Sequence, residues 1–277
     1  MLTPMQTFIA SSCYTRIASQ KGTQMHYELY LLLPVAFIAG IINAAVGGGG
    51  LITIPTFYST LPHFTPAQIM GIDKLSSVMG HLMSVRQFMT RLRLPWSLIL
   101  PTAVSAVVGA YSGIRFLDFM PSAWMRPVVI VVLAVMVAYT WFKPQFGHHD
   151  TSQSPTRADL IKGVCLGFAI GFYDGFIGPG TGSFLLFLFI HFFHFDFLRA
   201  TACAKVVNFG TNFSTLFFLI PHGLIDYGLA IPLGIAAISG SFIGVQIAIK
   251  GGNQWIRRLF LLLACSLLIK LLWETIH

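Results

Sequence analysis

Long apolar runs separated by short polar segments dominate the chain from residue 28 onward. They occupy 29–46, 51–60, 67–89, 95–117 and 124–142 in the first half, and 160–177, 183–193, 198–220, 224–249 and 255–273 in the second. Most approach the ~20 residues that a helix needs to cross a bilayer, whereas 51–60 and 183–193 are too short to cross alone. The pattern predicts an all-α, polytopic transmembrane bundle with about eight spans.

The polar segments divide the chain into four parts. These are an N-terminal extension (1–27), a first membrane repeat (28–142), a linker loop rich in His, Pro and Gly (143–159) and a second membrane repeat (160–277). The extension has no apolar segment followed by a small-residue cleavage site, so we expect no signal peptide. Met25 closely precedes the first span, so translation could equally start there.

Composition supports this reading. The chain is 55% hydrophobic and 9% charged, with a mean hydropathy of +0.76, whereas soluble domains carry about 25% charged residues. The short alternating segments of a membrane β-barrel are missing. The net charge of +8 is not accompanied by a basic face with interleaved aromatic residues, so nucleic acid is not an expected partner. We therefore expect a multi-pass protein of the cell membrane (the bacterial inner membrane).

Two glycine-rich segments interrupt the apolar runs. Gly40–Gly50 reads GIINAAVGGGG, and Gly171–Ser183 reads GFYDGFIGPGTGS. Glycine and proline break helices and leave backbone groups without partners. Within a membrane, such a break persists only where it is buried in protein or lines a wet cavity.

The two segments belong to an internal duplication at an offset of 131 residues. Without a gap, this offset places Gly40 on Gly171 and Lys74 on Lys205. The further matches include Asn43 with Asp174, Gly47 with Gly178, Gly49 with Gly180, Gly109 with Gly240, Gly113 with Gly244 and Trp124 with Trp255. Transporters commonly contain such repeats, with the substrate site between them. The basic residues leave parallel and inverted repeats open, although the cluster Arg86, Arg91 and Arg93, without a counterpart in the second half, favours inversion.

Lys74 and Lys205 are the strongest candidate site residues. Each lies well inside an apolar run, where a lysine costs about 2.5–3.5 kcal/mol. Their matching positions suggest a shared role as a cationic lining for an anion. The alternative is that each reaches the interface or pairs locally, for instance Lys74 with Asp73 and Lys205 with Asp174.

The glycine breaks offer complementary chemistry. Helix pieces that start after them would present unpaired N–H groups and a partial positive charge, which suit an anion. With the two lysines, we expect the substrate site to include Asn43, Gly47, Gly48, Gly49, Gly50, Gly178, Gly180, Thr181, Gly182, Ser183 and Asn208. The alternative is that these glycines only permit close packing, which is the role we expect for Gly109 and Gly113 with Gly240 and Gly244.

Three further polar groups leave alternatives open. Asp174 is either a proton carrier or a structural hydrogen-bond acceptor at the broken helix ends. Asn208 and Asn212, one turn apart, either line the cavity or hold helices together. His191 and His194 have no Cys or carboxylate cluster beside them, so we expect them at the membrane interface and expect neither a metal nor a cofactor.

At these residues the chain resembles the TauE/SafE family of sulfite-exporter-like membrane transporters. The resemblance covers about residues 28–277 and rests on Gly40–Pro55 and on 171–184, together with Asp-Lys-Leu at 73–75 and Ala-Lys-Val-Val-Asn at 204–208. Within the family the chain is similar to the YfcA-like branch, in which the resemblance implies an Asp at the position of Asn43.

The resemblance implies a transporter of sulfite, sulfonates or related small anions, often outward, rather than an enzyme. Taken with the repeat, it favours a secondary transporter and probable exporter. The alternatives are an anion channel and, less favoured, a membrane-embedded metal or redox enzyme. Substrate identity, direction, coupling ion and oligomeric state are left open by the sequence.

Overall fold

The computed structural model describes residues 28–116, 150 and 155–276, and every regular element in this part of the chain is a helix. The helices are α1 (Glu28–Val46), α2 (Gly50–Thr60), α3 (Pro66–Arg91), α4 (Trp96–Ile114), α5 (Arg157–Phe176), α6 (Thr181–Phe193), α7 (Phe197–Leu219) and α8 (Tyr227–Ile276). The predicted extension 1–27, the span 124–142 and most of the linker 143–159 lie outside the described residues.

The predicted all-helical architecture is confirmed for the described residues. Within the described residues, three helical segments are long and apolar enough to cross a membrane: Glu28–Val46, Trp96–Ile114 and Tyr227–Leu259. The runs predicted at 67–89 and 198–220 form the full-length helices α3 and α7. Their apolar character is diluted by the buried polar residues that they bring into the centre of the bundle.

The runs at 224–249 and 255–273 were predicted as two separate spans, and α8 consists of two helices that meet at a kink between these runs. Gly252, with φ 64° and ψ −169°, is a non-helical position at which this long helix changes direction. The residues between the two runs are Lys, Gly, Gly, Asn and Gln, which form a polar segment, so the sequence pattern indicated a break. The structure has a break in the helix at this place.

Side-chain caps fix the starts of two helices. At α3, Thr65 and Gln68 form a reciprocal capping box, and Pro66 lies in the first turn, where its missing N–H has no cost. At α5, Thr156 and Asp159 form the same arrangement. The hydrogen bond from the Thr156 hydroxyl holds the pKa of the Asp159 carboxyl below its usual value.

Each of the two predicted breaks lies between two helices. Gly47, between α1 and α2, has φ 85°, and Gly178, between α5 and α6, has φ 88°. Residues other than glycine rarely adopt this left-handed conformation. The short runs at 51–60 and 183–193 thus become α2 and α6, each of which begins directly after a glycine turn.

The two breaks lie against each other. A methyl group on Gly47 would collide with the backbone of Gly182, and one on Gly182 would collide with the backbone of Gly47. The Ser183 hydroxyl donates to the Val46 carbonyl at 3.1 Å. Positions 47 and 182 therefore have no room for a side chain.

Helix packing links the two halves in a reciprocal way. A methyl group on Gly109 of α4 would collide with the Phe168 carbonyl of α5, and one on Gly240 of α8 would collide with the Phe37 carbonyl of α1. Both members of the second contact lie 131 residues from those of the first. The packing role predicted for Gly109 and Gly240 is confirmed, and these helices of each half pack on the first helix of the other half.

Candidate functional site

A small polar cavity lies where the two breaks meet α3 and α7. It measures about 20 Å³, close to the space that one water molecule needs. It is lined by Asn43, Gly47, Gly50, Asp73, Lys74, Ser77, His81, Asp174, Gly178, Gly180, Thr181, Gly182, Asn208 and Asn212. Most of these residues are buried, while Asn43, Gly50, Ser77 and Gly178 are partly exposed.

Lys74 and Asp174 form a buried ion pair across the two halves. The Lys74 Nζ lies 2.8 Å from Asp174 Oδ1 and donates also to the Asp174 carbonyl at 2.9 Å. The carboxylate accepts further hydrogen bonds from the Thr181 hydroxyl at 2.8 Å and from the Asn212 amide at 3.3 Å. Three donors therefore surround this carboxylate, which compensates for the cost of burying its charge.

Lys205 makes the corresponding contact from the second half to the first. Its Nζ donates to Asn43 Oδ1 at 3.0 Å, and its side chain is almost fully buried. The local pairings considered for the lysines, Lys74 with Asp73 and Lys205 with Asp174, are wrong. The neighbouring Asp73 instead accepts a hydrogen bond from the Thr53 hydroxyl.

The two contacts are equivalent under the 131-residue offset, and so is most of the cavity. Lys74 and Lys205 correspond, as do Asp174 and Asn43, so each lysine bonds the polar residue of the opposite half. The other equivalent pairs on the lining are Gly47 with Gly178, Gly50 with Thr181, Ser77 with Asn208, and His81 with Asn212. This correspondence places the cavity between two similar halves, as the internal duplication predicts.

Two helices have their N-termini at the same cavity. α2 begins at Gly50 and α6 at Thr181, and both residues lie on the lining. Each N-terminus carries a partial positive charge of roughly half an elementary charge. Three asparagine amides and Lys74 also line the cavity, and Lys205 lies behind Asn43, so the site concentrates groups that bind oxyanions.

The residues predicted from the sequence fall mostly on this site. Lys74, Asn43, Asp174, Asn208, Thr181 and the glycines 47, 50, 178, 180 and 182 line the cavity, and Lys205 reaches it through Asn43. Gly48, Gly49 and Ser183 do not line it; Ser183 instead joins the two breaks. The glycines combine both predicted roles, because Gly47 and Gly182 lie on the cavity and also pack tightly.

Sequence reasoning missed His81, Ser77 and Asp73 as cavity residues. Asp73, Ser77 and His81 are spaced four residues apart and therefore share one face of α3 with Lys74. Helical spacing from Lys74 was a signal that could have found them. Asn212, for which two roles were left open, both lines the cavity and bonds Asn208 and Asp174.

The histidines considered as a metal pair lie elsewhere. His191 is in the last turn of α6 and stacks on Phe187, and His194 follows that helix in a left-handed conformation. Among the residues that the structure describes, no group of three or more His, Cys, Asp or Glu side chains is arranged to hold a metal ion.

Comparisons with known proteins agree on one family. The family model described as sulfite exporter TauE/SafE matches residues 32–271. A probable membrane transporter protein, ORF9, of Sinorhizobium sp is 30% identical over 249 residues, covering 90% of this chain and 94% of the relative. A probable membrane transporter protein of Haemophilus influenzae is 29% identical over 250 residues, with coverages of 89% and 95%.

The probable membrane transporter protein YfcA of Escherichia coli K12 is 27% identical over 249 residues, covering 89% of this chain and 90% of YfcA. No solved structure matches the chain. The printed names of these relatives specify membrane transport and no substrate.

Proposed function

This chain belongs to the sulfite exporter TauE/SafE family, and on that premise we propose that it is a multi-pass secondary transporter that exports a small anion across the cell membrane. Sulfite and sulfonates are the substrates we favour. Relatives named as membrane transporters point to transport rather than catalysis. The observation that carries the proposal is the meeting of two buried lysines and two helix N-termini at one cavity.

The chemistry of the lining suits a compact oxyanion. Sulfite and sulfonate groups present three oxygens, each able to accept hydrogen bonds from ammonium, amide, hydroxyl or backbone N–H groups. Lys74, Thr181, Asn208 and Asn212 offer such donors within one small space. We propose that an entering anion replaces the Asp174 carboxylate as the partner of Lys74.

The size of the cavity favours a transporter over an open channel. A sulfur oxyanion is larger than the single water molecule that about 20 Å³ accommodates. Binding therefore requires the two breaks to separate, and we propose that this separation alternates between the two sides of the membrane. The role of Asp174 in this scheme is that of an anchor that holds Lys74 when no anion is bound.

The proposal is tested by anion flux into proteoliposomes that contain the full chain. Sulfite, methanesulfonate, thiosulfate and acetate are supplied one at a time, and uptake is measured with labelled anions. We expect saturable uptake of a sulfur oxyanion, and at least a tenfold lower rate in Lys205→Ala, because a hydrogen bond to a charged group contributes about 1.5–3 kcal/mol.

Lys162→Ala is the matched control. Lys162 lies on α5 with about half of its side chain exposed and pairs with Asp159 outside the cavity, so its replacement should change uptake by less than twofold. Absence of flux for all four anions, or wild-type flux in a folded Lys205→Ala protein, would contradict the proposal. Unitary currents without saturation would assign the channel function instead.

A further inference from the structure

The cavity holds a balanced set of charges before any anion enters. Asp73 and Asp174 contribute two negative charges, and Lys74 and Lys205 contribute two positive charges, when each group has its ordinary ionisation at neutral pH. An anion would therefore bring an uncompensated negative charge into a buried site. Such a charge is costly unless a partner of opposite sign arrives with it.

His81 is a cavity residue whose imidazole ring is not fully hydrogen-bonded. Its side chain is about 2% exposed, it lines the cavity, and its Nδ1 is buried without a hydrogen-bond partner. A buried polar nitrogen without a partner is unusual in a folded protein and calls for an explanation. Histidine is also the side chain that most readily gains a proton near neutral pH.

The charged groups facing His81 come from three helices. On its own helix, α3, these are Asp73 and Lys74; α5 contributes Asp174, and α7 contributes Lys205. The helix α8 packs beside His81 at Gly80, where its nearest atoms belong to Ser241 and Ala237, and it adds no residue to the lining. Two nearby lysines oppose a third positive charge while the cavity is empty, and an anion among them removes that opposition.

The two carboxylates are less suited to take up a proton. Asp174 already accepts from Lys74, Thr181 and Asn212, and those donors would lose their acceptor if the carboxylate were protonated. Asp73 accepts from Thr53. The Nδ1 atom of His81 makes no hydrogen bond, so no hydrogen bond is lost when this nitrogen gains a proton.

We propose that His81 binds one proton together with each anion, so that the anion and the proton cross the membrane as a neutral pair. This inference rests on the proposed function. The proton comes from the solution on the side of entry, resides on the imidazole ring beside the anion, and leaves with it on the other side. By linkage, each of the two ligands strengthens binding of the other by the same factor.

The duplication explains why one proton is expected rather than two. The position equivalent to His81 in the second half is Asn212, whose amide bonds Asn208 and cannot gain a proton near neutral pH. His81→Asn therefore gives the first half the residue that the second half already tolerates in the same cavity. It removes the proton site with a side chain that still hydrogen-bonds.

The test uses methanesulfonate, which remains an anion throughout the accessible pH range and carries no proton of its own. Its affinity for the purified full chain is measured by calorimetry across pH, and the number of protons taken up is obtained from buffers of different ionisation enthalpy. For the wild type we expect uptake of one proton per anion. At pH values where the histidine of the empty cavity is unprotonated, the affinity for the anion should rise up to tenfold for each unit by which the pH is lowered.

His81→Asn should bind the anion with affinity independent of pH and without proton uptake. His222→Asn is the control, because His222 is exposed in the turn after α7, where its ring bonds the Phe218 carbonyl away from the cavity. It should behave as the wild type.

The outcomes separate this inference from the proposed function. Binding without proton uptake in the wild type, or uptake that persists in His81→Asn, overturns the role of His81 and leaves anion transport standing. If neither methanesulfonate nor sulfite binds at any pH, both proposals fail. If His81→Asn does not fold, His81→Gln takes its place, because its amide likewise cannot gain a proton near neutral pH.

Discussion

Lysines 74 and 205 show how far a residue's position in the sequence predicts its surroundings. Their depth in apolar runs marked them as candidate site residues, and the structure buries both beside one cavity. Their partners could not be read from the sequence, because Lys74 bonds Asp174 and Lys205 bonds Asn43 across separations of 100 and 162 residues. Spacing along one helix constrains neighbours on that helix, but contacts between halves depend on how the helices pack.

Gly47 gives a stability prediction at the same scale. Gly47→Ala should lower the free energy of unfolding by at least about 2 kcal/mol, since a left-handed backbone costs about 1–2 kcal/mol for other residues and overpacking adds about 1–3. Gly223→Ala is the control, because Gly223 is also left-handed (φ 64°) but a methyl group there meets no atom within 4 Å. Reversible unfolding in mixed detergent would measure both.

If packing at the break matters as we argue, Gly47→Ala should be clearly the more damaging of the two. Equal losses would mean that backbone strain alone accounts for the effect, and the contact with Gly182 would then have no energetic weight. No loss in either variant would contradict the conformations assigned to both glycines.

At the scale of elements, the sequence predicted which segments are helices better than where they end. Glycine runs predicted the breaks before α2 and α6, because no side chain there supports a helix. The Gly251–Gly252 pair predicted a further break, and Gly252 is the non-helical position at which the two helices of α8 meet. Local composition therefore signals where a helix is interrupted.

The facing breaks also yield a prediction about movement. If transport requires them to separate, a disulfide between Gly50→Cys and Pro179→Cys should stop anion flux, and a reducing agent should restore it. A Cβ at Gly50 would lie 3.7 Å from the Pro179 Cα, a separation that a disulfide can bridge with little movement. The variant is made after the native cysteines are replaced, and flux is followed in proteoliposomes.

The reduced double variant serves as its own control, and each single cysteine variant should be insensitive to oxidation. Full flux with the disulfide formed, as verified by mass spectrometry, would mean that the anion passes without separation of α2 from the turn before α6. Alternating movement of the breaks would then be wrong.

For the whole molecule, the reciprocal contacts make a stronger case for duplication than the sequence alone could. Identities at the 131-residue offset are few in so apolar a chain. In the structure, Gly109 meets Phe168 and Gly240 meets Phe37, so equivalent residues make equivalent contacts. Each half thereby completes the packing of the other. The cavity is formed by residues of both halves, so its composition could not be predicted from the boundaries of the halves in the sequence.

Positions 43 and 174 are equivalent, and only Asp174 is an acid. The same reciprocity predicts that this acid can be moved from position 174 to position 43. Asp174→Asn alone should destabilise the fold by about 3–5 kcal/mol, because it removes the charged partner of buried Lys74. Asn43→Asp in the same chain gives Lys205 a carboxylate partner instead. We expect the double variant to recover most of the stability, and a double-mutant cycle of unfolding free energies measures the coupling.

Recovery is expected because the exchanged chain keeps two buried lysines, one facing a carboxylate and one facing an amide, as the natural chain does. The local surroundings nevertheless differ, since Thr181 donates to the carboxylate of the second half and Gly50 stands at the equivalent position of the first. Incomplete recovery would therefore measure what Thr181 and Asn212 add. Additive losses in the double variant would show that the two sites are independent, and the symmetric account of the cavity would then be wrong.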